Sequence, residues 1–495
     1  MIPVLLGIDV GTSSVKSVVL STGGAVLAAH GVPYATRVPH AGWSEQEPSA
    51  WWSAAGEACR AALATVRMGR EPPEVVGIGL SGQMHTFVLL AADGRPLRPA
   101  VTWMDTRAEP LLEAARETIA AAGLADRLAN PVVLGLTLLP LVWLRDHEPE
   151  TVREAHALLS AKDYLRWRMT GEIGAEPTDT SATLLCDVAA RRWSPQVMAA
   201  FDLPSDLLPA MGESATVAGA LTPEAAEHLG LAPGIPVAFG AGDQQAAALG
   251  MGTVHPNQVQ LTVGTGAQVT AVRERPAADP AGRLHAFCHV RGWTTQASVN
   301  NAGSALSWAR GLLGLDWEPV YEALGRGGGP LFVPYLTGER TPLMKGHALG
   351  AWLGLAPDHE PADLARAAGE GVAAAIAEAI LTVTEGCPPA GAIRAAGGGM
   401  RHPAFAQAIA DATGLDIEVH ASRDASGVGA ALLGGIAGGI FADVDAAAGH
   451  APSRVAATYR ASAEREPWWA ERRQMLRRLD AIGFHEVVAD ALRAG

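Results

Sequence analysis

Two stretches in opposite halves of the chain share one layout: an apolar strand, a glycine turn carrying a hydroxyl, and a second apolar strand. They are residues 5–19 (LLGIDVGTSSVKSVV) and 260–272 (QLTVGTGAQVTAV). Glycine lets the backbone approach an anion closely, and hydroxyls and amides donate to it, so each hairpin can hold phosphate. Gly11, Thr12 and Ser13 supply the first turn, with Lys16 adding positive charge; Gly264 and Thr265 supply the second. Asp9 ends the first strand and faces the same spot. A bare carboxylate beside phosphate is repelled, so its useful role there is to hold a hydrated magnesium ion that bridges to the phosphate oxygens. For this segment alone, an ordinary edge hairpin with a turn aspartate is an equally good reading. The G-x-x-x-x-G-K-[ST] pattern occurs nowhere, which removes the P-loop route to nucleotide binding.

A recurring hairpin changes the expected fold. It suggests two similar α/β lobes facing across a cleft, and 495 residues are more than a single core accommodates. With 48% hydrophobic and 18% charged residues the chain is globular, and a net charge of -14 disfavours nucleic acid or an anionic membrane as partner. Cys59, Cys186, Cys288 and Cys387 show no C-x-x-C pairing, so reduced cytoplasmic thiols fit better than a zinc cage or a disulfide framework. The N-terminus enters its first strand without a basic leader, and no signal peptide is expected. The uncharged run 425–442 nears membrane-spanning length but is crowded with glycine, and reads as a packed helix and loop in the core.

Along the first half, residues 25–38 read as a strand pair and Pro48 opens a helix through Val66. The strand 75–80 then ends in SGQMHT. Open α/β sheets place ligands at carboxyl ends of strands, which makes Met84 and His85 candidates for a substrate wall, although a single turn histidine is more often structural. AVTWMDTR brings Trp103, Asp105 and Arg107 to one strand end. An aromatic face beside a carboxylate suits a polyol; a strand end capped by an ion pair explains the residues equally well. Helices are expected over 109–129, 138–146 and 161–170, the last ended by Gly171, with residues 179–182 in a polar loop.

In the second half, IPVAFGAGDQQAAALG again runs strand, glycines, an acid at Asp243, and a small-residue helix. A long helix is expected over 362–385. The strand 393–399 runs into glycines: Gly398 and Gly399 leave room for a nucleobase and ribose, with Met400 as a soft apolar contact. His285 and His289 flank Cys288, but no third ligand converges and structural packing is the preferred reading. The tail 459–495 reads as an amphipathic helix on a lobe surface.

Taken in order, GIDVGTSSVK, WSEQEPSAWW, SGQMHT, TWMDTR, KDYLRWRMTGE, GAGDQQAAALG, HAFCHV, GERTP and GGGMRHP resemble the FGGY carbohydrate kinases from about residue 5 to 440, most closely the branch that phosphorylates D-xylulose at O5. The resemblance implies an actin-like fold of two ribonuclease-H-like ATPase lobes with a central cleft, divided here as 1–236 and 237–495. It implies MgATP mostly on the second lobe, sugar in the cleft, and an acid from each lobe meeting across the gap. By the same resemblance Asp243 is the general base, with Gln244 beside it; Asp9 serves magnesium and phosphoryl transfer; Met84 and His85 contact the sugar, and Trp103 and Asp105 lie near it. Phosphoryl transfer is loose, so the hydroxyl proton leaves late and Asp243 chiefly orients the nucleophile before accepting it.

Departures from the family pattern bear on the sugar. Thr86 follows His85 where glycine is usual and is expected to narrow the cavity, Gln244 replaces asparagine, Met104 stands where asparagine is frequent, and Pro140 replaces a lysine. The expected partners are a small sugar and MgATP, with no nucleic acid or membrane, in the cytoplasm, with a homodimer among the options. Kinases for ribulose, gluconate, glycerol or erythritol are the nearest alternatives. A chaperone-like or filament ATPase of the same fold has no reason to carry the cleft residues.

Overall fold

The computed structural model describes residues 2–67, 72–322, 324, 325, 327–421, 424–452 and 454–493. The first hairpin forms as expected: β1 (Ile2–Val10) and β2 (Ser14–Ser21) pair antiparallel, with Asp9 opposite Lys16. The expected strand pair after it is one strand, β3 (Val26–Pro33), ended by a proline that cannot donate onward. Next come β4 (Pro73–Gly82), β5 (Val217–Ala220), β6 (Pro236–Ala238) and β7 (Ala241–Gly242). The first sheet runs β5, β6, β4, β1, β2, β3, with β7 also against β4. Because β1 lies between β2 and β4, with both faces covered, it reads as one apolar run. Helices α1 (Pro48–Arg67), α2 (Ala161–Thr170) and α3 (Asp243–Gly250) belong to this half. The helix expected over 109–129 is broken into short pieces, and Gly123 at φ 63° marks the break.

The second sheet repeats the first. Strands β8 (Val259–Val263) and β9 (Ala267–Arg273) form the hairpin; β10 (His285–Cys288) and β11 (Trp293–Val299) extend it antiparallel. On its other side β12 (Ile393–Ala396) joins β8 in parallel, as β4 joins β1, followed by β13 (Ile417–His420) and β14 (Val455–Tyr459). Around it stand α4 (Gly303–Leu313), α5 (Pro361–Thr384) and α6 (Pro403–Thr413), followed along the chain by α7 (Ala425–Ala437) and α8 (Glu466–Ala481). The tail is more than a surface helix: Trp469 of α8 is fully buried and Arg477 pairs with Glu378 of α5 at 2.7 Å. Among the described residues α5 is the one helix long and apolar enough to cross a membrane, and 89% of its apolar window is buried in protein.

The residues of α7 come late in the chain, yet this helix lies on the first sheet. Its small residues permit backbone-to-backbone approach: a Cβ on Gly7 would sit 1.9 Å from the Gly427 carbonyl oxygen, and one on Gly79 1.9 Å from that of Ala430. A Cβ on Gly429 would meet the Ala246 carbonyl of α3 at 1.8 Å. Neither backbone can give way, so Gly79→Ala is expected to lower stability by more than the ~1–3 kcal/mol of ordinary overpacking. Gly311→Ala in α4, where an added Cβ meets nothing within 4 Å, is expected to gain about 0.5–1 kcal/mol. Urea midpoints of the two variants check the contrast.

Two expectations change here. The first sheet takes in β6 and β7, so a division between residues 236 and 237 falls inside it. The acids also do not come one from each lobe. Asp9 lies opposite Ser81 of β4 on one side, and Ala241 of β7 lies opposite Ser81 on the other, so Asp243 rises from the same sheet as Asp9. The pairing of the two-residue β7 with a strand far back in the sequence brings this about.

Candidate active site

Asp9 is buried and accepts hydrogen bonds from Ser81 Oγ (2.8 Å) and from Ser426 Oγ of α7 (2.6 Å). Burial pushes its carboxyl above the usual range, against the pull of both hydroxyls. Asp243, the first residue of α3, is pushed up to about 8, first by burial and then by the charges of Asp9 and Asp179. The charge of Asp9 is thus felt at Asp243, and both carboxyls stand in poorly solvated surroundings. Lys16 does not bond Asp9; it pairs with Asp424, just before α7, at 2.9 Å. A carboxylate offers about four lone-pair positions, and two of those on Asp9 are taken by serine hydroxyls, so a hydrated divalent cation fits the remaining two.

Asp243 borders a cavity of about 130 Å³. The first half of the chain contributes Thr12, Met84, His85 and Trp103 to it, together with Asp243 and Gln244. The opposite wall is Gln268, Gln296, Ser298, His285 and Arg340, none of which sequence reasoning placed at the sugar. Their signal was weak: Gln268, Gln296 and Ser298 are polar positions on strands, facing a cleft only because two sheets face each other. His85 adopts φ 68°, and its Nδ1 lies 2.6 Å from the Ala182 carbonyl oxygen, so Nδ1 carries the proton. Burial pulls its pKa down to about 4, leaving Nε2 a neutral acceptor suited to a sugar hydroxyl. Trp103 Nε1 donates to Thr12 Oγ1 at 3.1 Å, tying its ring to the first hairpin.

Thr86 and Asp105 depart from expectation. Thr86 Oγ1 is buried behind the cavity wall, where it accepts the Trp103 backbone N–H at 3.3 Å, and it does not narrow the cavity. Asp105 is spent on structure: its oxygens accept from Arg107 Nε (2.9 Å) and Nη2 (2.8 Å) and from the Ser44 amide (2.6 Å). The ion-pair alternative is the one the structure shows.

Hairpin two sits beside the glycine run because Thr262 pairs in parallel with Ala396. Gly264 and Thr265 are exposed, and the start of α4 closes on them: Ser304 N–H donates to the Thr265 carbonyl at 2.9 Å, and a Cβ on Gly303 would lie 2.4 Å from the Gly264 carbonyl oxygen. An added Cβ at Gly398 meets nothing within 4 Å, whereas Gly399 packs on Val263. Met400 is 1% exposed and part of the second core, so it offers a nucleobase no contact.

A buried charge cluster underlies the Asp243 end. Residues 179–182, expected as a polar loop, continue a short helix (Pro177–Thr180) and are buried. Lys162 Nζ lies 2.7 Å from Asp163, 3.2 Å from Glu176 and 3.4 Å from Asp179. Thr178 Oγ1 donates to Glu176 Oε1 and accepts the Gly242 N–H, both at 2.8 Å, linking this cluster to the residue before Asp243. Burial pushes Asp179 up to about 7 against the pull of Lys162. A larger cavity of about 430 Å³ between α5 and α8 is lined partly by the Arg477–Glu378 and Arg283–Glu385 pairs and includes neither Asp9 nor Asp243.

The two other histidines singled out have separate partners: His285 Nδ1 bonds Asn130 Oδ1 (3.1 Å) and His289 Nε2 bonds the Thr253 carbonyl (3.2 Å). Burial holds them down to about 3 and about 4. The unfolded chain takes up these protons near pH 6.5, so their contribution is intact above about 6.5 and is lost as pH falls toward the folded values. The expected slope is up to ~1.4 kcal/mol per pH unit for each. Urea midpoints between pH 7 and 4.5 check it, and His289→Asn is expected to flatten the curve.

Residues 4–250 match the FGGY family of carbohydrate kinases, N-terminal domain, and residues 259–438 match its C-terminal domain. The chain belongs to the FGGY family of carbohydrate kinases, and it is an enzyme that transfers phosphate from ATP to a sugar. It is similar to the xylulose kinase of Escherichia coli (strain K12), 38% identical over 446 residues that span 87% of this chain and 90% of that one. The xylulose kinase of Klebsiella pneumoniae is 37% identical over 440 residues, 87% and 89% of the two chains. A crystal structure of a xyloylose kinase from Brucella ovis superposes with a TM-score of 0.88 at 33% identity, covering 99% of both chains.

Proposed function

We propose that the sugar is D-xylulose and the product D-xylulose 5-phosphate. The observation that carries this reading is the cavity shared by Asp243, Gln244, Met84, His85 and Thr12 and covered by the second lobe, a polar chamber with an acid at one end and the Arg340 guanidinium in its opposite wall. O5 attacks the γ-phosphorus of ATP, the bond from that phosphorus to the ADP oxygen breaks, and Asp243 accepts the O5 proton. Thr12, Ser13, Gly264 and Thr265 donate to phosphate oxygens, and Gly398 leaves space for the nucleoside. Asp9 would hold magnesium, which when bound offsets phosphate charge and the charge of Asp9 that helps raise Asp243. Closure of the lobes keeps water from competing with the sugar. The two lobes divide after α3, since β6 and β7 complete the first sheet. On this reading the enzyme is cytoplasmic, and its partners are a small sugar and MgATP.

A panel of D-xylulose, ribulose, gluconate, glycerol and erythritol with coupled ADP detection tests the reading. D-xylulose is expected to lead in kcat/KM. Preference for another acceptor overturns the substrate, and ATP turnover equal with and without sugar overturns the mechanism.

A further inference from the structure

Across the cavity from Asp243 stands a cation that no carboxylate contacts. Arg340, from the irregular stretch 338–342 of the second lobe, lines this cavity, yet its guanidinium has no hydrogen-bond or ion-pair partner among the described residues. The adjacent acid is occupied elsewhere: Glu339 accepts from the backbone N–H groups of Asn300 (2.7 Å) and Arg340 (2.8 Å) and from Asn301 Nδ2 (3.3 Å). The guanidinium reaches across to the first lobe, where a Cβ on Gly135 would lie 3.8 Å from Nη2. Its charge is felt at His85 and His285 and helps keep both rings neutral. Its five N–H donors make no hydrogen bond to the acceptors that share this cavity, so they stay free for a ligand that brings acceptors of its own.

The acceptor sugar supplies them in one form only. A 2-ketopentose closes its ring through O5, so O5 is free for phosphorylation only in the open chain, and there C2 is a carbonyl with the C1 hydroxyl beside it. A carbonyl oxygen accepts and never donates, which matches a group that donates and never accepts. We propose that Arg340 is a specificity-determining residue: its guanidinium binds the C1–C2 end of the open-chain ketose, donating to the C2 carbonyl oxygen, while Asp243 holds O5. The inference rests on D-xylulose as acceptor. The sugar then bridges the lobes, since Arg340 comes from an irregular stretch of the second lobe and Asp243 follows a strand of the first sheet.

The test compares D-xylulose with xylitol and D-arabinitol, the pentitols that differ from it only by reduction at C2. Calorimetric affinities are measured with a non-hydrolysable ATP analogue present, for the wild type, Arg340→Met and Arg340→Lys. Wild type is expected to favour the ketose, and Arg340→Met to lose ketose affinity about 10- to 100-fold, the range for a charge-assisted hydrogen bond, with pentitol affinity changed less than about 3-fold. Arg340→Lys keeps the charge without the paired donors and is expected to restore only part of the preference. Unchanged affinity for the ATP analogue certifies folding, and if Arg340→Met fails that check the lysine variant decides. Parallel losses of ketose and pentitols, or a larger loss for D-gluconate, overturn the assignment while leaving a ketose-active wild type as a kinase. A wild type that phosphorylates no ketose overturns the substrate reading and this inference with it.

Discussion

Asp243→Ala is expected to lower turnover by ~10²- to 10⁴-fold with ATP still bound, the range for a positioned proton acceptor. The carboxylate stands at the head of α3, where the helix dipole favours charge, but burial and the charges of Asp9 and Asp179 outweigh it and push the group to about 8. A carboxyl near 4 is a poor base for an alcohol, while one raised toward working pH takes a proton more readily. Asp243→Asn keeps the shape and loses the function, so it should fall as far as the alanine variant. The base must be ionised, so kcat/KM is expected to rise with pH through this group's titration. Asp9→Asn removes one charge that raises it, and the rise should move to lower pH even as the rate drops. Near-wild-type turnover in either Asp243 variant removes this residue from the chemistry.

The second large effect is structural. Lys162→Met leaves Glu176 and Asp179 buried without their shared cation, because the neighbouring Arg166 pairs only with Asp163. Burial by itself pulls the ammonium down, and its three acids more than offset that, so the charge is held in place by the cluster. Breaking such an arrangement by removing one partner costs about 3–5 kcal/mol, a large fraction of a domain's ~5–15 kcal/mol. Loss should show as a lowered urea midpoint, and Lys162→Met with Asp179→Asn should recover part of it, since the second change deletes an uncompensated charge. A double mutant no more stable than additivity requires would mean the cluster is not a unit. Lys162 also underlies the end of β4, its Cβ 3.1 Å from where a Cβ on Gly82 would be. A folded Lys162→Met protein is therefore expected to show a raised KM for sugar through Met84 and His85.

What the structure adds is legible residue by residue. Trp103 and Asp105 look alike as candidates in TWMDTR, yet one borders the cavity and the other is neutralised by Arg107. Their strand position is the same signal for both, and only the neighbouring segment carrying Ser44 and Glu45 decides which turns inward. Met400 follows an open glycine turn and still packs into the core, because the short 3-10 turn over Gly398–Arg401 rotates it there. Arg340 belongs to the quoted GERTP run, yet nothing local in it points to the cavity, since a charged residue in an irregular stretch is ordinarily solvated.

From its order of residues alone the chain determines two glycine hairpins, the α/β character of both halves, the acid at each strand end and the kinase family whose motifs it carries in sequence. These are local matters: strand periodicity, turn chemistry and spacing act within a few residues of one another. Tertiary structure decided that both acids stand on one sheet, that a glycine-lined helix from the far end supplies Ser426 to Asp9, and that Arg340 lines the same cavity as Asp243. Each of these depends on which distant segments pair, a choice made by total burial and close packing over the whole chain, to which no single stretch has access.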